Sequence, residues 1–128
     1  MIPRPALLLA AGLAAAAPAA THDNAVATTF DGRVAGAPVN CLSADRAGNI
    51  VALDARTLVY RESARRVWRN DLPDACPGLD DDSILVFELF GGGPCKGDHF
   101  RTIERSGGSI PGPICRLGSF VPYDRPRP

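Results

Sequence analysis

The chain has 128 residues, with 14 Lys+Arg against 14 Asp+Glu and 45% apolar residues. That length sets one domain, and a formal net charge of zero removes the whole-molecule field that draws proteins to nucleic acid or anionic lipid. Clusters of Ile, Leu, Val and Phe beyond the first segment exclude a disordered chain.

The chain opens with Met1-Ile2-Pro3-Arg4-Pro5, runs almost wholly apolar from Ala6 to Ala17, and continues Pro18-Ala19-Ala20. A positive start, an apolar run and a small-residue cleavage site, in that order, read as an export signal over residues 1–20, cut after Ala19 or Ala20. A membrane span needs about 20 apolar residues; this run is shorter and broken at Pro18. The first cysteine is Cys41, so no thiol stands at the cut to accept lipid. The expected product is periplasmic or secreted, with no membrane insertion after signal cleavage.

Residues 21–37 are rich in Ala, Thr, Asp and Gly and read as a flexible leader. From Val39 the pattern changes to short apolar runs divided by Gly, Pro and Asp, the mark of successive strands. Strands are expected over 39–42, 49–53, 57–61 and 66–69, with turns at Asp54-Ala55 and Ser63-Ala64. The next, 84–90, is rich in β-branched and aromatic residues and bounded by Asp80-Asp81-Asp82 and Gly91-Gly92-Gly93. Its near-continuous apolarity predicts burial on both faces. Strands over 99–105 and 115–121 flank a Gly/Pro-rich loop and are expected to pair as a hairpin. Pro73, Pro77, Pro94, Pro111 and Pro113 all fall between these runs, as a missing N–H requires. The reading is a mostly β fold: one small antiparallel β domain over 38–122, a partly closed barrel or sandwich, with a frayed tail over 123–128.

A body of about 100 residues buries only roughly 60–70% of its unfolded surface and is marginal unaided. Cys41, Cys76, Cys95 and Cys115 are the expected remedy, since an even count in a short exported chain reads as two disulfides. Three pairings exist; the preferred one is nested, Cys76–Cys95 inside Cys41–Cys115, each bridge contributing about 2–4 kcal/mol. Structural zinc and dithiol redox sites use closely spaced cysteines such as C-x-x-C, and no two here are that close.

Four segments taken together carry a resemblance: Asp54-Ala55-Arg56-Thr57-Leu58; Trp68-Arg69-Asn70-Asp71-Leu72 with Cys76-Pro77-Gly78-Leu79; Cys95-Lys96-Gly97-Asp98; and Cys115-Arg116-Leu117-Gly118-Ser119-Phe120. In order and spacing this set resembles an uncharacterised family of small exported bacterial proteins, a domain of unknown function with four cysteines. The resemblance spans residues 39–121. It implies an exported, cysteine-containing globular domain and supplies no activity, substrate, cofactor or functional residue.

The remaining constellations favour plain readings. Asp80-Asp81-Asp82 lacks the calcium-loop spacing and reads as a solvated turn. The segment from Gly91 to Asp98 lacks the Gly-Lys-Ser/Thr that opens a phosphate-binding helix. Arg61, Arg65, Arg66 and Arg69 lie beside Tyr60 and Trp68, an arrangement able to grip a polyanion, but Asp71, Asp74 and the aspartate run follow at once and can neutralise them. His99 is the one histidine outside the leader, too few for the two-histidine zinc motif, and Asp98 beside it points to the opposite face of a strand. Glu88 and Glu104 are a nominal carboxylate pair of the kind glycoside chemistry uses. No catalytic, cofactor or metal residue is assigned, and no nucleic-acid partner is expected. The expected function is a non-enzymatic envelope or interaction module; the alternatives are a hydrolase with an unrecognised site and a ligand-binding β domain that holds a small apolar molecule in its interior near residues 84–90 and Phe100.

Overall fold

In the computed structural model, which describes residues 1–3, 11–16, 22–105 and 110–128, the elements follow in chain order. They are helix α1 (His22–Phe30), β1 (Val34–Ala35), a 3-10 helix (Ala44–Asn49), β2 (Ile50–Ala52), β3 (Thr57–Arg61) and β4 (Arg66–Asp71), then β5 (Ser83–Phe87), β6 (His99–Glu104), β7 (Ile114–Arg116) and β8 (Phe120–Asp124). The expected cleavage site at Ala19 or Ala20 and the tip of the 106–113 loop lie outside the described residues. The strands form two antiparallel sheets, one of five strands in the order β1-β8-β4-β3-β2 and one of three in the order β5-β6-β7. The mostly β reading therefore holds, as two sheets packed together without a closed barrel.

Period-two alternation decides which residues meet between the sheets. In the larger sheet, Ile50, Tyr60, Trp68 and Pro122 stand opposite one another in one row, and Ala52, Leu58, Asn70 and Phe120 in the next. These rows face the inter-sheet core, where Ile50, Leu58, Trp68 and Phe120 pack with Leu42, Leu72, Leu117, Phe100 and Cys115. The intervening residues point the other way. Val59 and Val67 join Leu53 and Tyr123 beneath helix α1, whose Phe30 and Val26 close that side. Strands β3 and β4 are thus covered on both faces, one by the second sheet and the other by the helix.

This arrangement corrects the leader. Residues 21–37 contain α1 and the edge strand β1, and Phe30 is buried with its ring 4.8 Å from that of Tyr123. Composition misled because Ala and Thr carry little periodicity, while two apolar residues at Val26 and Phe30, four apart, suffice to dock a nine-residue helix. The frayed tail also shortens, since Tyr123 and Asp124 belong to β8 and pair with Val67 and Arg66.

The expected strand over 115–121 breaks in two. β7 pairs with β6 from His99↔Arg116 to Arg101↔Ile114, whereas β8 leaves to join β4 in the other sheet. The switch is made at Leu117-Gly118-Ser119. A Cβ at Gly118 would strike the carbonyl oxygen of Asp71, so only glycine lets the crossing chain pass this close to the end of β4.

The disulfides are Cys41–Cys95 and Cys76–Cys115, interleaved along the chain. The nested pairing, Cys76–Cys95 with Cys41–Cys115, is therefore wrong. Cys41 and Cys95 face each other across a short antiparallel bridge in which Leu42 N–H donates to Pro94 O and Lys96 N–H to Asn40 O. That makes them a non-hydrogen-bonded pair, the closest approach an antiparallel ladder offers, and their Cα atoms are 4.0 Å apart. Cys76, after β4, is fully buried in the inter-sheet core, and Cys115 on β7 points into the same core beside its register partner Phe100. One bridge therefore ties the β5–β6 loop to the chain before the 3-10 helix, and the other ties the two sheets together. Nesting would have clipped one central loop and tied the two ends of the body; long-range strand pairing decided otherwise.

Candidate functional site

Strand β5 was expected to be buried on both faces, and it is not. It is an edge strand, ends at Phe87, and exposes Ile84 and Val86 by 41% and 43%. An apolar run reads alike whether its second face is covered or open. Leu85 and Phe87 turn inward, and the Phe87 ring lies 5.7 Å from that of the buried Phe100.

The open face has a definite layout. Ile84 stands opposite Ile103; Val86, Arg101 and Ile114 form the next row; Glu88, whose N–H donates to His99 O, begins a charged end with His99 and Arg116. Ile114 is 52% exposed. Arg101 Nε lies 3.7 Å from Glu88 Oε1, bridging the rows. The result is a mainly aliphatic face in which Arg101 stands between Val86 and Ile114 and one end is charged. Beyond the strand, Phe90 is also largely exposed.

On the other side of this sheet the space is full. Phe100, Phe120, Leu58 and Leu117 are essentially inaccessible, and Gly93 seats the β5–β6 loop where a Cβ would collide with the backbone of Leu42, Ser43 and Ala44. That contact, with Ala44 N–H donating to Gly92 O, uses the glycine run as a structural clasp. At its far end Asp98 closes a tight turn, its N–H donating to Cys95 O and its carboxylate accepting from Cys95 N–H.

The remaining residues singled out by the sequence do not converge. Asp80 accepts from Asp82 N–H and Ser83 O–H, while Asp82 lies 3.4 Å from Arg105. Among the described residues no three His, Cys, Asp or Glu side chains stand together as a metal site would require. His99 is exposed on the outer face. Glu88 lies level with His99, five residues along β6 from Glu104, roughly 17 Å at strand spacing; glycosidase carboxylates stand about 5–10 Å apart. Glu88 is engaged with Arg101 instead. All four cysteines are in disulfides, so none is a free thiol.

The arginine cluster is dispersed in one sense and enlarged in another. Arg69 pairs with Asp71 and lies over the Phe30 ring on the helix side, as neutralisation by Asp71 predicts. Arg66 instead makes a two-bond fork to Asp124 at 2.7 Å and covers Trp68. Arg61 and Arg65 are joined by Arg33, Arg125 and Arg127, which sequence distance had hidden. The Arg33 guanidinium is held below its usual value, first by desolvation and then by Arg125 and Arg61, against the pull of Asp124.

Comparison of the chain with protein-family models, with curated proteins and with solved structures gives no match.

Proposed function

We propose that this protein is an exported, disulfide-stabilised interaction module that works by contact rather than catalysis, with the outer face of the three-stranded sheet as its contact surface. The observation that carries the reading is that face. Ile84, Val86, Ile103 and Ile114 lie in register on a sheet whose reverse side packs against a filled core. Exposed apolar residues are ordinary when scattered singly; grouped on one flat surface they mark a place that another molecule covers. The partner is a protein presenting a largely apolar surface, because aliphatic residues around an arginine, with a charged border, are the anatomy of a protein interface.

Export rests on other supports. The order of features over residues 1–20 is that of a secretion signal. Two disulfides suit an oxidising compartment, and no described helix is long and apolar enough to cross a membrane. The resemblance to a family of small exported bacterial proteins belongs to the same reading.

The test is site-specific photo-crosslinking of the full chain in its producing cell. A photoreactive residue at position 86 should give a discrete adduct that Ile114→Arg abolishes, while one at the exposed position 56, in the β2–β3 turn, gives none. No adduct from position 86, or the same adduct from both positions, overturns the assignment.

A further inference from the structure

Six described arginines form no ion pair: Arg33, Arg56, Arg61, Arg65, Arg125 and Arg127. All but Arg56 meet at one end of the five-stranded sheet. Three separate segments bring them there: the turn after α1, the β3–β4 hairpin, and the chain following β8. Register is the cause, since Asp124 pairs with both Val34 and Arg66. Main-chain groups then fasten the corner. Arg125 N–H and Arg33 Nη1 both donate to Arg65 O at 2.9 Å, and Arg65 Nη2 donates to Arg125 O at 3.3 Å.

The Arg33 and Arg65 guanidiniums are held by carbonyls, those of Arg61, Arg125 and Arg127 make no hydrogen bond, and none of the five is paired with a carboxylate. The nearby carboxylates are already engaged: Glu62 with Arg46 at 2.7 Å and Asp124 with Arg66. Arg33 Nε is buried without any hydrogen-bond partner. A depression of about 440 Å³ opens among Glu62, Ser63, Arg65, Asp124, Arg125 and Arg127. A chain of zero formal net charge thus concentrates its surplus positive charge in one corner, where the local field, not the total, governs ligand capture.

We propose that this corner binds an anionic polysaccharide through its sulfate or carboxylate groups. The charges spread along a hairpin tip and a tail instead of closing on one buried cradle, which suits a polymer with repeated anions. Arginine forks match such planar or tetrahedral oxyanions by paired N–H donors. A nucleic-acid strand fits less well, because its bases need aromatic platforms. Here Trp68 is buried and Tyr123 packs on Phe30. A bilayer fits less well too, since only Ala64, Pro126 and Pro128 could enter it beside the arginines.

The experiment measures binding of the purified full chain to a sulfated polysaccharide and to a polyuronate across a salt series. Parallel samples contain single-stranded DNA, anionic phospholipid vesicles or inorganic sulfate. The double variant Arg61→Ala/Arg127→Ala removes two guanidiniums that make no hydrogen bond in the fold. It should bind one of the polysaccharides about 20-fold more weakly at physiological salt, with a salt slope shallower by roughly 1.5–2, as loss of two charge contacts requires. Arg127→Glu alone, beyond the last strand, should weaken binding in the same direction, and Arg56→Ala should leave it unchanged. Unchanged affinity in the double variant overturns the proposal, as does equal or tighter binding to DNA or vesicles, or retention of inorganic sulfate alone.

Discussion

Asn70 and Gly118, 48 residues apart, hold each other through two hydrogen bonds of 2.8 Å: Asn70 Nδ2 donates to Gly118 O, and Gly118 N–H donates to Asn70 Oδ1. The amide of a side chain thereby imitates a neighbouring strand at the point where the backbone leaves one sheet for the other. Asn70 is 1% exposed, so the pair satisfies four polar groups that water does not reach. Asn70→Ala would leave the Gly118 N–H and C=O without partners and should lower stability by about 2–6 kcal/mol, at 1–3 kcal/mol for each buried orphan. Urea unfolding measures it. A loss below about 1 kcal/mol would mean that solvent reaches the crossing.

The disulfides should be mapped before they are mutated. Intact mass should rise by about 2 Da per bridge on reduction, and non-reduced digestion should link Cys41 to Cys95 and Cys76 to Cys115. With sequence separations of 54 and 39, loop entropy assigns each bridge about 4 kcal/mol. Cys76→Ser/Cys115→Ser should therefore abolish most of the stability of a domain this small. Four alkylatable thiols in the native protein would remove both the bridges and the oxidising compartment proposed from them.

One pH-dependent contribution to stability should come from Asp124. The Arg66 fork holds its carboxyl below the ordinary carboxylate range, with further pull from Arg65 and Arg33. A group with a lowered folded value contributes stability above its unfolded value, near 4, and loses it as pH falls through the folded one. Wild type should thus exceed Asp124→Asn by a constant margin from about pH 5 to 8, and the two curves should converge below about pH 4. Denaturation midpoints over that range check it. A gap that persists at pH 2 would assign the effect to packing instead of charge.

Several elements were legible from residue order alone. β3 is recovered residue for residue, and β2, β4 and β6 within two, because alternating β-branched and aromatic residues between turn formers report local chain geometry. Disulfide formation followed from count and size. The missed features share one cause: each depends on what lies across from a residue, not beside it. The partner of Cys41 is set by a bridge spanning 54 residues. Whether Ile84 and Val86 are covered depends on which sheet β5 joins. Arg33, Arg65 and Arg125 are strangers in sequence until β1, β4 and β8 align. The strand break at Gly118 was readable only as a glycine inside an apolar run, which marks close approach without naming its partner.

Residue order by itself determined the class of fold and the presence of cysteine bridges, since propensity, periodicity and count act over short stretches. Tertiary structure alone decided the bridge pairing, the open face of the small sheet and the arginine corner. Hydrogen-bonded register joins distant segments through contacts whose loop-closure cost grows only slowly with separation, so proximity along the chain carries little information about who meets whom.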